Sequence, residues 1–143
     1  MRTKEYLLQY QLWKNTRENL LSERNLIVMD EALPSGIDYS ADKIQATPVD
    51  KMSEIVARIE KRTAEIDRRI ISLDTRMEQM RDDINDLDDA VAVRLLWLKY
   101  IESQNWYDIA AELGYDVVYV RGELHQKSLD IFRGKNLQRL TQS

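Results

Sequence analysis

Two periodic stretches dominate the alternation of apolar and polar positions. From Thr3 to about Glu31, Tyr6, Trp13, Leu20 and Ile27 fall seven residues apart, and Tyr10, Leu21 and Val28 widen the stripe. That spacing predicts an amphipathic helix uninterrupted by Gly or Pro. Leu33-Pro34-Ser35-Gly36 ends it, and an irregular stretch is expected from Ile37 to Ala46. Thr47-Pro48 then predicts a second helix start, with Thr47 as N-cap, Pro48 at the first helical position and Asp50 in the first turn.

From Met52 two heptad series run in parallel. One reads Met52, Ile59, Ile66, Leu73, Met80, Leu87; the other reads Val56, Thr63, Ile70, Met77, Ile84, Val91. Thr63 is the one polar residue among them. A helix of that length extends roughly 50–60 Å and cannot stand alone, because its apolar stripe must be covered. The first helix supplies a matching stripe and is expected to fold back antiparallel. Its reach on the second helix is expected to run from about Pro48 to Arg76. Met77, Met80, Ile84, Leu87 and Val91 would then remain as an open stripe, which must meet the C-terminal part, through Leu95, Leu98 or the Gly134–Ser143 tail, or a second copy of the chain; a homodimer is the expectation.

The run Asp82-Asp83-Ile84-Asn85-Asp86-Leu87-Asp88-Asp89 favours caps over helix interior and predicts a break or kink, although the apolar register runs on through it and also fits a continuous helix. Beyond it, helices are expected over Ala90–Glu102, Trp106–Leu113 and Val117–Arg133, followed by a frayed tail, Gly134–Ser143. The expected fold is all-α. Residues 1–85 form a long antiparallel helical hairpin serving as spacer and oligomerisation element, and residues 86–143 form a small helix-turn-helix domain that folds on its own.

Composition narrows the chemistry. With 4 Gly and 2 Pro in 143 residues, the chain has too few turn formers for a sandwich or barrel. It has no Cys, hence no disulfide, thiolate metal site or cysteine nucleophile. The lone histidine, His125, has no acidic or histidine partner four residues away, which points to a DNA contact or a half-buried packing residue. Adjacent acids such as Asp82-Asp83 and Asp88-Asp89 point about 100° apart on a helix and do not converge on one ion. No glycine-rich phosphate loop or nucleophile–base pair is evident. No enzyme activity, cofactor, metal or small-molecule substrate is expected. No apolar run approaches a membrane span, and MRTKEYLLQYQLW lacks the apolar core of a signal peptide, so a cytoplasmic protein is expected.

The formal net charge is −4, yet the stretch from Val117 to Ser143 carries Arg121, Lys127, Arg133, Lys135 and Arg139 against only Glu123 and Asp130. A polyanion partner is expected there and nowhere else. The bases of this stretch directly follow the most informative motif, Trp106 to Val120. Ala110 is small where two helices would touch, Gly114 is free to take positive φ in the turn, and Val120 anchors the second helix onto the first. Ile109 and Leu113 complete the buried face. Asp116 can cap the second helix, and Asn105 or Ser103 the first. Trp97, Tyr100 and Trp106 are expected in the core of this part.

Arg94-Leu95-Leu96-Trp97-Leu98-Lys99-Tyr100, Trp106-x-x-Ile109-Ala110-x-x-Leu113-Gly114-Tyr115, Tyr119-Val120 and Lys127-Ser128-Leu129-x-x-Phe132 resemble the fourth region of sigma factors. Nearly the whole chain resembles small phage regulators of the RinA/ArpU late-transcription type. Asp38-Tyr39-Ser40-Ala41-Asp42-Lys43-Ile44-Gln45 and Val49-Asp50-Lys51-Met52 match their loop and middle-helix start. Two departures stand out. Asp116 occupies a position usually held by Ser or Thr, and Lys127-Ser128-Leu129 lies one residue further from Val120 than the sigma pattern has it.

The resemblance implies a sequence-specific DNA-binding regulator of a phage or prophage, acting on late genes in the bacterial host cytoplasm. Double-stranded DNA is then the partner, with contact to host RNA polymerase as a further implication. The expected DNA-facing residues are Val118, Tyr119, Arg121, Gly122, His125 and Gln126. Arg121 is the strongest base reader, because its fork can bind guanine bidentately. Two other classes compete with this reading: a DNA-packaging protein of small-terminase type, and a helical module that binds a protein instead of DNA.

Overall fold

A computed structural model describes residues 1–33 and 48–142. Every regular element among them is helical: α1 (Thr3–Ala32), α2 (Pro48–Asn85), α3 (Ala90–Leu96), α4 (Trp106–Leu113), α5 (Val117–Tyr119), α6 (His125–Lys135) and α7 (Leu137–Thr141). Two π-helical turns, Trp97–Ile101 and Val120–Leu124, continue α3 and join α5 to α6. The chain is therefore all-α. The expected Thr47 cap and the irregular stretch before it lie outside the described residues.

Two compact units form, and they differ from the division expected at residue 85. One comprises Met1–Asn15 with Asp74–Ser143; the other is Thr16–Leu73. In the second, α1 and α2 run antiparallel around buried Leu20, Ile66 and Ile70, with Leu21, Ile27 and Leu73 packed on them. Arg24 Nε bonds Asp67 Oδ1 at 2.8 Å, while Arg58 and Arg62 reach back to Glu31 at 3.0 and 2.8 Å. Thr63, the polar member of the heptads, is fully buried, and its hydroxyl donates to the Ile59 carbonyl at 2.8 Å. These ion pairs also fix the register. Arg58 already faces the last turn of α1, so Met52 and Val56 lie past its end and stay 69% and 47% exposed.

The first unit corrects two expectations. Met77, Met80, Ile84 and Leu87, expected as an open stripe, are buried in one core with Tyr6, Leu7 and Tyr10 of α1 and with Leu95, Leu98, Val120, Phe132 and Leu140; Val91 packs partly buried against the same core. The reach of α1 passes Arg76, since Arg81 Nη1 donates to the Tyr10 hydroxyl at 2.9 Å. The stripe therefore gives no ground for a dimer. The described part of the tail is helical: α7 buries Leu140 at 2% exposure, and the N-terminal amine lies 3.4 Å from the Leu140 carbonyl.

Local chemistry sets the remaining element ends. The acidic run breaks the helix after Asn85, and Asp89 caps α3 by accepting from the Ala92 N–H at 2.9 Å. Lys135 bonds the Asp86 carbonyl across this break. Asp83 is buried but served on both sides: Gln79 Nε2 donates to Oδ1 at 3.1 Å and Arg139 Nε lies 2.5 Å from Oδ2. Such pairing is what makes a buried carboxylate tolerable.

Candidate nucleic-acid interface

The motif from Trp106 to Val120 folds as two short helices around a tight turn. Asn105, not Ser103, caps α4 by accepting from the Asp108 N–H at 2.9 Å. Ser103 instead takes φ 57 in the bend before it. Gly114 ends α4 at φ 77, a left-handed conformation that costs an L-residue with a Cβ roughly 1–2 kcal/mol. Asp116 opens the next helix, its carboxylate accepting from the Val118 N–H at 3.0 Å. Ile109, Ala110 and Val120 are buried where the helices meet. Tyr100 is buried and Trp97 and Trp106 pack partly buried against the same core, as their composition suggested.

From Val117 to Lys135 the backbone stays right-handed helical through the π turn, with φ −64 at Val120, −66 at Leu124 and −61 at His125. The π turn at Val120–Leu124 takes up one more residue than an α turn would. That matches the one-residue excess between Val120 and Lys127-Ser128-Leu129. It also lets Ser128 turn inward, its hydroxyl donating to the Leu124 carbonyl at 2.8 Å.

Of the six residues expected to face DNA, five are exposed. Val118 is 61% and Tyr119 38% exposed, and Arg121, Gly122 and Gln126 are open to solvent. Val118, Arg121, Gly122 and Gln126 recur at three- and four-residue steps along one side of the helix. Gly122 has open space where a Cβ would stand. Arg121 forms no ion pair among the described residues. Gln126 donates to Asp130 Oδ1 at 3.0 Å, a contact on the surface.

His125 is the correction. It is 8% exposed, with Nε2 2.7 Å from the Tyr100 hydroxyl. Tyr100 stacks beside it at 5.9 Å and Trp106 meets its ring edge-on at 4.7 Å. Burial first, then the positive charges of Lys4 and Lys99, lower its pKa to about 4. It is a neutral core residue that cannot touch DNA. The π turn explains the shift: one extra residue ahead of His125 rotates it about 100° around the helix axis, off the outer face. Each of the two π turns thus delivers one partner of the buried pair.

The electrostatics are more selective than the charge count suggested. Lys135 is engaged by Asp86 and Asp88, and Arg139 by Asp83, which leaves Arg121, Lys127 and Arg133 as the exposed bases of the C-terminal helices that make no ion pair among the described residues. Lys127, outside the six expected residues, is exposed on the same helices. It lines a small pocket with Tyr115 and Tyr119, whose rings pack edge-to-face at 5.6 Å. Its place in the basic stretch was the available signal, but the α-helical wheel without the π turn misplaces it. No helix among the described residues is long and apolar enough to cross a membrane. No known family model, curated protein or solved structure matches the chain.

Proposed function

We propose that the chain is a sequence-specific DNA-binding regulator of phage or prophage transcription, a late-gene activator of the RinA/ArpU kind. The exposed row Val118, Arg121, Gly122, Gln126 carries this reading: one uninterrupted side of a helix that follows a glycine turn, with a base reader at its centre. The pair Trp106–Leu113 and Val117–Lys135 acts as a helix-turn-helix, and its second helix enters the major groove.

With three exposed bases on these helices not engaged in ion pairs among the described residues, few phosphates are neutralised. The slope of log K against log[salt] is therefore expected to be shallow, about −2 to −4 per protomer. Arg121→Ala is expected to abolish sequence-specific binding while lowering Tm by no more than a few degrees, because the side chain is exposed. Wild-type affinity of that variant for a selected duplex would remove Arg121 from the site.

A homodimer reading two half-sites fits this function, through a face other than the one expected from the heptads of α2. Along α1 within the second unit, Asn19, Ser22, Leu26 and Met29 alternate at three- and four-residue steps, and all are exposed. None is charged, in a chain of which 32% is. An outward face of this spacing suits a second copy of the same helix, with Asn19 setting register. Leu26→Lys is expected to yield a monomer of unchanged helicity in sedimentation. A wild-type monomer at micromolar concentration would remove the dimer.

A further inference from the structure

We infer that Val118 is a specificity-determining residue that selects thymine through its C5 methyl group, an inference that rests on the reading of helix 117–135 as the major-groove element. Val118 is an apolar residue left 61% exposed in the first turn of that helix. Its position is fixed twice. The Asp116 carboxylate holds its N–H at 3.0 Å, and a β-branched side chain in a helix has essentially one χ1 rotamer. Its two methyl groups are thus presented rigidly at the helix start, where a helix-turn-helix meets base edges.

Among the four bases, only thymine offers an apolar group in the major groove. The others present N7, O6, N4 or N6 there, which a valine would strip of water without replacing the hydrogen bond. Valine is also short, so it reaches a base edge only where the helix lies deep in the groove. Gly122 stands four residues on, on the same side, with nothing within 4 Å of where its Cβ would be. A helix bare at that point can approach the base edges closely, and the longer Arg121 then reaches a neighbouring base from the same turn. The acid at 116 is spent on the helix cap.

The test starts from a randomised duplex library enriched with the full chain, followed by replacement of each dT in the enriched duplex by dU, one at a time. Loss of a single buried methyl is expected to weaken binding about fourfold at one position per half-site, with other replacements nearly neutral. In Val118→Ser, whose helicity is checked beside wild type, that position is expected to become indifferent to dT or dU. Neutrality of every dU replacement in the wild type, or an unchanged penalty in Val118→Ser, overturns the assignment while leaving DNA binding intact. Failure to enrich any duplex overturns the DNA reading itself, and this inference with it.

Discussion

Leu7→Asp, at the opposite end of the chain from the exposed row, is expected to unfold the C-terminal helices and abolish DNA binding. Leu7 is fully buried in the core that also holds Met80, Ile84, Leu95, Phe132 and Leu140. Truncating such a leucine costs about 2–5 kcal/mol, and an unpaired carboxylate in its place adds desolvation to the lost packing. Against a net stability of about 5–15 kcal/mol, that removes most or all of the margin. By the same logic, residues 86–143 prepared alone are expected to melt without a cooperative transition. That fragment lacks Tyr6, Leu7, Tyr10, Met77, Met80 and Ile84, a large part of the core on which its helices pack. Thermal unfolding followed by circular dichroism checks both. A Leu7→Asp protein melting within a few degrees of wild type, or a cooperatively folding fragment, would show that the N-terminal turns of α1 are dispensable.

The contrast between that fragment and the expected boundary at residue 85 shows what periodicity carries and what it leaves open. Heptads identify the inner face of α2, and all of them from Thr63 to Leu87 except Leu73 are buried. A heptad repeat looks the same after a shift of seven residues, however, so it cannot fix register. Here register is set by polar contacts beside the heptad positions, such as Arg24 with Asp67, Arg58 and Arg62 with Glu31, and Arg81 with the hydroxyl of Tyr10. Local signals were legible for a different reason. The Asn105 and Asp116 caps and the Gly114 turn each act within three or four residues, where sequence and geometry are tightly coupled. The π turn at Val120–Leu124 lies between these cases. Its one trace in the sequence is a single-residue excess in spacing, and a wheel drawn without it puts His125 on the outer face. Leu140 is not legible in the sequence because two leucines in a polar tail, Leu137 and Leu140, set no period, and only the second is buried.

Acidification is expected to destabilise the protein through His125 before the carboxylates dominate. Its pKa in the folded chain is lowered to about 4, against 6.5 for the unperturbed imidazole. Above pH 6.5 the ring is neutral in both folded and unfolded states and costs nothing. As pH falls below 6.5 the unfolded chain takes up a proton that the buried ring refuses, so stability drops until about pH 4. The full fall is about 3 kcal/mol, since each unit of pKa corresponds to ~1.4 kcal/mol. Tyr100→Phe tests the same pair at neutral pH. It leaves Nε2 without the hydroxyl now 2.7 Å away and is expected to cost about 1–3 kcal/mol. Tyr100→Phe/His125→Phe removes both polar partners from an apolar surrounding, so it is expected to lose less at neutral pH and to lack the histidine component of the acid response. Urea titrations at pH 7, 5.5 and 4.5 on wild type and the double variant isolate that component, because the carboxylates contribute equally to both. An equal loss of stability in the two proteins between pH 7 and 4.5 would mean that His125 titrates in the folded chain as it does in water, and that the ring is open to solvent.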